Sequence, residues 1–168
     1  IDTRGTGDLA ELIAKEIEEK GWGRTYGITR HQLFVHPDVP YTSHNSSMCF
    51  TADIQEQTLG CLIAYASQFL FRESAAGSDP GLCVALPDRI PDANVLVSFG
   101  KKAKTALVTK DEAYQLAASL GIHLSEHGGT GQGVIGALAG VGLRLSGNDG
   151  RFKGKFKIDS IDGLARVD

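Results

Sequence analysis

The chain has few cysteines, no long apolar run and no excess of positive charge. Cys49, Cys61 and Cys83 are the three cysteines in 168 residues. They are odd in number, widely spaced and never in a C-x-x-C pair, which argues against a disulfide framework or a zinc ribbon. All three sit in apolar runs, where buried thiols are inert, so a cysteine nucleophile is not expected. No apolar stretch is long enough to cross a bilayer, and no signal peptide is visible. A cytoplasmic protein without a membrane partner is therefore expected. The net charge of −3 supplies no global basic field for nucleic acid. There is no internal repeat and no low-complexity linker. The chain begins at Ile1 rather than a methionine, so further residues are expected upstream.

What is present is an ordinary globular composition, 42% hydrophobic and 22% charged, with 21 glycines. A chain of this length can form one compact unit with a full core, or two intimately packed lobes. Leu9, Leu12, Ile13 and Ile17 recur at helical spacing, with Thr6 as cap and Gly21 as stop. Tyr26 to Val35 reads as a strand. His36 to Ser47 reads as a loop, either a solvated connection or a ligand surface. Met48 to Ile54 reads as a second strand. Leu59 to Leu70 forms an amphipathic helix, and Ser74 to Pro80 a turn-rich break. Leu82 to Leu86 is a short buried strand. Pro91 and Asp92 open a helix ending at Lys101, Lys102 and Lys104. Leu107 and Val108 suggest a brief strand. Thr109 and Glu112 form a capping box for a helix that Gly121 ends. Ile122 to Leu124 and Arg151 to Ile158 read as strands. Mixed along the whole length, these elements predict an α/β or α+β fold, a mixed sheet with helices.

The most informative stretch is His127-Gly128-Gly129-Thr130-Gly131-Gln132-Gly133-Val134-Ile135-Gly136, a glycine-rich turn opening a buried helix over Val134 to Leu145. Such a turn exposes N–H groups where the helix dipole favours negative charge, so Gly128, Gly129, Thr130, Gly131, Gln132 and Gly133 are candidate phosphate contacts. The stretch contains G-x-G-x-x-G, but a polar turn follows rather than a second apolar strand ending in an acid. Val134 stands where a Walker loop has lysine. The alternative is packing: Gly129, Gly133, Gly136 and Gly140 recur at spacings of three and four, as on a close-packed helix face.

The five histidines do not suggest a zinc site. His127, just before the glycine loop, is a candidate for phosphate contact or proton transfer, or a histidine bonded to a loop carbonyl. Asn148-Asp149-Gly150-Arg151 reads as a turn. If the loop binds phosphate, Asp149 could hold magnesium and Arg151 a phosphate. Lysines alternate along the last strand. They form a solvated edge or a surface that could touch an RNA backbone.

Arg4-Gly5-Thr6-Gly7-Asp8-Leu9-Ala10, Pro40-Tyr41-Thr42-Ser43-His44-Asn45 and the run Gly128 to Arg151 together resemble the archaeal tRNA-Ile agmatinylcytidine synthetase family and its stand-alone relatives. The resemblance implies a kinase-like nucleotide-binding part that binds ATP and magnesium, joined to a ferredoxin-like part. In that family a cytosine oxygen of the tRNA anticodon is phosphorylated and agmatine displaces the phosphate. The resemblance implies that Arg4 and Thr6 face the nucleotide and that His44 and Asn45 orient the phosphoryl acceptor. The family's acidic strand, of the form I-D-D-T-D, would lie just before this chain's start, leaving Asp2 as a metal candidate. Neither the family's OB-fold nor its zinc ribbon has a counterpart here. The expectation is a nucleotide-binding protein that transfers phosphoryl to an unknown acceptor. The alternative is a non-catalytic ligand-sensing or assembly module on the same scaffold. A homo-oligomer is compatible with either.

Overall fold

The computed structural model describes residues 5–34 and 46–152, and the fold is mixed α+β. In chain order the elements are α1 (Thr6–Glu19), β1 (Gly23–Thr25), β2 (Thr29–Gln32), β3 (Ser46–Cys49), β4 (Ala52–Ile54), α2 (Leu59–Glu73), β5 (Gly81–Val84), α3 (Ala93–Thr105), α4 (Lys110–Leu120), β6 (His123–Glu126), α5 (Gly133–Ser146) and β7 (Arg151–Phe152). Among the described residues the strands pair antiparallel in three small sheets, β1–β4, β3–β2–β7 and β5–β6.

Apolar periodicity builds two cores. Leu9, Ile13 and Ile17 of α1 meet Leu62, Ala66, Phe69 and Leu70 of α2, with Trp22 and Tyr65 packed alongside. Leu96 and Phe99 of α3, Ala113 and Ala117 of α4, and Val134, Leu138 and Leu143 of α5 form the other. Full burial of side chains such as Leu96 and Leu138 contributes about 1.5–3 kcal/mol each. Local signals fix the ends of two helices. The Asp92 carboxylate accepts from the Asn94 N–H at 3.0 Å. Thr109 and Glu112 complete a reciprocal capping box, and Gly121 follows α4 in the left-handed conformation.

Helix α5 is the hub, packing against α3, α4, β2, β3, β5 and β6. Its glycines make this possible. A Cβ on Gly142 would overlap the Leu96 carbonyl oxygen, one on Gly140 would overlap Ser47, and one on Gly100 of α3 would lie 2.9 Å from the Ala139 carbonyl. Helices α3 and α5 therefore touch backbone to backbone.

Several expectations are corrected. Within the predicted strand from Tyr26 to Val35 the described strand residues are Thr29–Gln32 (β2), while β1 (Gly23–Thr25) lies before it. Met48 to Ile54 is split between β3 and β4, so β1–β4 and β2–β3 are separate halves. The two halves form one antiparallel ribbon with a bulge, since four residue steps from Thr25 to Thr29 oppose three from Ala52 back to Cys49. At the bulge Arg144 of α5 donates to the carbonyls of Gly27 at 2.9 Å and Cys49 at 3.4 Å, and to Thr29 Oγ1 at 2.7 Å. Helix α1 begins at Thr6 with Gly5 as its cap, and no side chain bonds the cap. Leu107 and Val108 are not in a strand. Cys61 is exposed, because it falls off the α2 face that carries Leu62, Ala66 and Phe69. Most of the predicted loop from His36 to Ser47, and the predicted last strand beyond Phe152, lie outside the described residues.

The α3–α5 contact gives a direct test. Gly142→Ala should destabilise the fold by about 1–3 kcal/mol through forced backbone separation, whereas Gly60→Ala on exposed α2 surface, where a Cβ meets nothing within 4 Å, should be neutral or slightly stabilising. Urea denaturation of both variants checks the difference.

Candidate functional site

The glycine loop is built by β6 leaving its sheet. His127 N–H extends the β5–β6 ladder by donating to the Pro80 carbonyl at 2.9 Å. The chain then turns through Gly128, Gly129 and Gly131, with φ of 145°, 62° and 80°, and enters α5. Positive φ here favours glycine, and the turn is closed by the neighbouring chain. Cβ atoms on Gly129 and Gly133 would overlap Asp79, and one on Gly131 would overlap the Glu126 carboxylate.

Two of the loop's N–H groups have acceptors within the protein. The buried Asp79 carboxylate accepts from the Thr130 N–H, occupying the kind of position an anionic ligand would take at a helix start. Thr130 Oγ1 accepts from the Gln132 N–H at 3.3 Å. Below the loop, Glu126 accepts from Tyr114 Oη at 2.8 Å and pairs with Lys110 at 3.1 Å. Lys110 also reaches the Thr130 carbonyl at 3.3 Å. The Tyr114 hydrogen bond and the Lys110 ammonium hold the Glu126 carboxyl below its usual range. Burial and the Glu126 partner push the Tyr114 hydroxyl up to about 12.

The loop faces two spaces. Gly128, Gly129 and His127 line an open groove of about 440 Å³ with Ser67, Gln68 and the largely exposed Phe71. Gln132 and Gly133 line a larger cavity of about 1160 Å³ whose walls include Thr6, Met48, Leu62 and Cys83. The structure thus brings Thr6 and the start of α5 to one cavity. Asp2, Arg4, His44 and Asn45 lie outside the described residues.

Asp149 and Arg151 are not brought to the loop. They follow the C-terminus of α5, whose 14 residues separate them from the glycines by about 20 Å at 1.5 Å per residue. Asp149 gives one oxygen to His31 Nδ1 at 2.8 Å and the other to Lys104 Nζ at 2.5 Å. Burial opposes its ionised form, but Lys104 and His31 outweigh this and hold the carboxyl below its usual range. A metal at Asp149 would have to displace the lysine. Arg151 is exposed at the start of β7, opposite Arg30. Among the described residues no three His, Cys, Asp or Glu side chains group as a metal site, so these residues do not fit a magnesium cage.

Two clusters escaped sequence reasoning. His31 is completely buried, linked through Nε2 to Thr29 Oγ1 at 2.8 Å and onward to Arg144. Alternation along β2 could have placed His31 with Thr29 on the inner face. On β6, Ser125 Oγ lies 2.8 Å from His123 Nε2 and 2.6 Å from His127 Nε2. The four-residue spacing of these histidines was the signal available. Burial keeps the Cys49 thiol up at about 11 and raises Cys83 further. No helix among the described residues is long and apolar enough to cross a membrane.

In sequence and fold the chain is similar to enzymes named for tRNA. It is 29% identical over 138 residues to the tRNA 2-agmatinylcytidine synthetase TiaS of Pyrococcus horikoshii, covering 80% of this chain and 32% of that enzyme. The crystal structure of a tRNA fluorescent labeling enzyme superposes with a TM-score of 0.70 at 25% identity, over 85% of this chain and 33% of that one. The complex of TiaS with its tRNA and ATP gives 0.70 at 24% identity over the same shares, and apo TiaS 0.66 at 24%, over 83% and 32%. The chain is TiaS-like in sequence and fold, and it spans about a third of the length of these relatives. No family model matches it.

Desolvation holds His31, His123 and His127 below the ordinary imidazole value, which is about 6.5. The folded state then binds fewer protons than the unfolded state below that pH. Stability should be complete above about pH 6.5 and decline as pH falls toward the folded-state values. His31→Gln removes one of the three contributions and should make the decline shallower. Melting temperatures between neutral and mildly acidic pH check this, and an unchanged slope would contradict it.

Proposed function

We propose that this chain is a nucleotide-binding unit of the agmatinylcytidine synthetase type, taking the phosphates of ATP at the glycine-rich start of α5. The observation that carries the reading is that loop, with three positive-φ glycines opening a buried helix, in a chain whose fold matches TiaS crystallised with tRNA and ATP. Backbone N–H groups between Gly128 and Gly133 would bind the phosphates, with the Thr130 hydroxyl beside them. Thr6 would approach from α1 across the shared cavity. His127, on the groove and neutral at neutral pH, is the nearby group suited to accept a proton. Arg4, His44 and Asn45 keep the roles the resemblance implies, and an RNA acceptor fits the same resemblance. Magnesium would arrive with the nucleotide, since the described residues offer no cage for it.

Binding carries a specific cost. A phosphate on the Thr130 N–H must displace the Asp79 carboxylate, which has the same charge sign. Asp79→Asn keeps a hydrogen-bond acceptor of similar shape and removes the repulsion, so it should tighten ATP binding.

A non-catalytic binding module is the second reading, favoured by the engagement of both oxygens of Asp149, the magnesium candidate, by His31 and Lys104. ATP binding without release of ADP would identify it. The test of the leading reading is a thermal-shift series with ATP, ADP and AMP on wild type and Asp79→Asn. ATP at about 100 times its dissociation constant should stabilise the fold by about 2.7 kcal/mol, with AMP weakest and the variant responding at lower concentration. No response from either protein would overturn nucleotide binding.

A further inference from the structure

We propose that His123 and His127 form a binding site for a borderline transition-metal ion such as Zn²⁺, at the rim of the groove beside the glycine loop. The two residues lie four apart on β6 and its one-residue extension, where residues 123, 125 and 127 share one face of the strand. Both rings turn toward the residue between them. His123 Nε2 is 2.8 Å and His127 Nε2 2.6 Å from the one Ser125 Oγ. That hydroxyl has a single proton and can donate to only one ring, so the other ring must donate to it. Two nitrogens and an oxygen of ligand type therefore converge on one small volume.

Imidazole is the preferred nitrogen ligand for zinc, at about 2.0–2.1 Å, and it must be neutral to bind. Desolvation favours the neutral form of both rings. Neither ring is committed to a carboxylate: Glu126, their sequence neighbour, is engaged by Tyr114 and Lys110. No third His, Cys, Asp or Glu joins the pair among the described residues. The ion would keep open positions, as in catalytic rather than structural zinc sites. His127 lines the groove with Gly128 and Gly129, so those positions can take water or an oxygen of an anionic ligand there. The site does not depend on the nucleotide reading.

The test uses the full chain, stripped with chelator and titrated calorimetrically with Zn²⁺ alone, and with Co²⁺ followed by visible absorption. One ion should bind with micromolar affinity. His123→Gln and His127→Gln can still hydrogen-bond Ser125 but are poor ligands, and each should weaken binding at least about tenfold. Ser125→Ala leaves both rings and should weaken it less. A second measurement needs no variant: Zn²⁺ should shift the ring-proton resonances of His123 and His127 in the wild-type protein. No binding at about 100 µM metal, equal binding by the doubly substituted chain, or unmoved ring resonances would overturn the site.

Discussion

Close approach of backbones along α5 is the constraint on which the rest depends. Gly142 admits the Leu96 carbonyl, Gly140 admits Ser47, and Gly133 admits the backbone at Asp79 and Gly81. Each contact brings a different element onto one helix: α3, β3 and the lead into β5. A helix of larger residues would push all three outward at once. Leu96, Val134, Leu138 and Leu143 are almost wholly buried in the core that these close approaches enclose.

The same constraint shapes the loop before α5. Gly129 and Gly133 are packing residues, fitted against Asp79, and within the turn they form the Thr130 and Gln132 N–H groups are held by Asp79 and Thr130. Packing and ligand binding were alternatives when only the sequence was considered. In the fold the Asp79 carboxylate closes the turn by accepting the Thr130 N–H, the donor that the proposed phosphate would need. At the far end of α5, Arg144 leaves the helix and enters the bulge of the β1–β4 and β2–β3 ribbon, while Asp149 ties His31 to Lys104. One helix thus meets the Asp79 carboxylate at its start and carries Arg144 and the Lys104–Asp149–His31 cluster at its end.

What was legible in the sequence was local. The helical spacing of Leu62, Ala66, Phe69 and Leu70 marked α2. Asp92, and Thr109 with Glu112, marked the starts of α3 and α4 because caps act within three residues. The break in the ribbon was not read from the sequence: the Arg144 guanidinium that bonds its bulge is 115 residues from Thr29. Asp149 and Arg151 were grouped with the glycine loop by nearness in sequence, although an intervening helix of 14 residues sets them about 20 Å apart. The His123 and His127 pair was passed over although strand alternation puts both on one face; only the fold shows both rings turned toward Ser125. The likeness to the synthetase family was carried by short segments, and 29% identity over 138 residues is consistent with that.

The most direct measurement is the backbone amide spectrum of the isotopically labelled chain during titration with ATP. The account predicts saturable shifts that are largest at Gly128 to Gly133, with Asp79 moving at the same ligand concentration as its carboxylate leaves the Thr130 N–H. Shifts centred elsewhere, or none at saturating ATP, would contradict it and leave the glycines as the packing face of α5 alone.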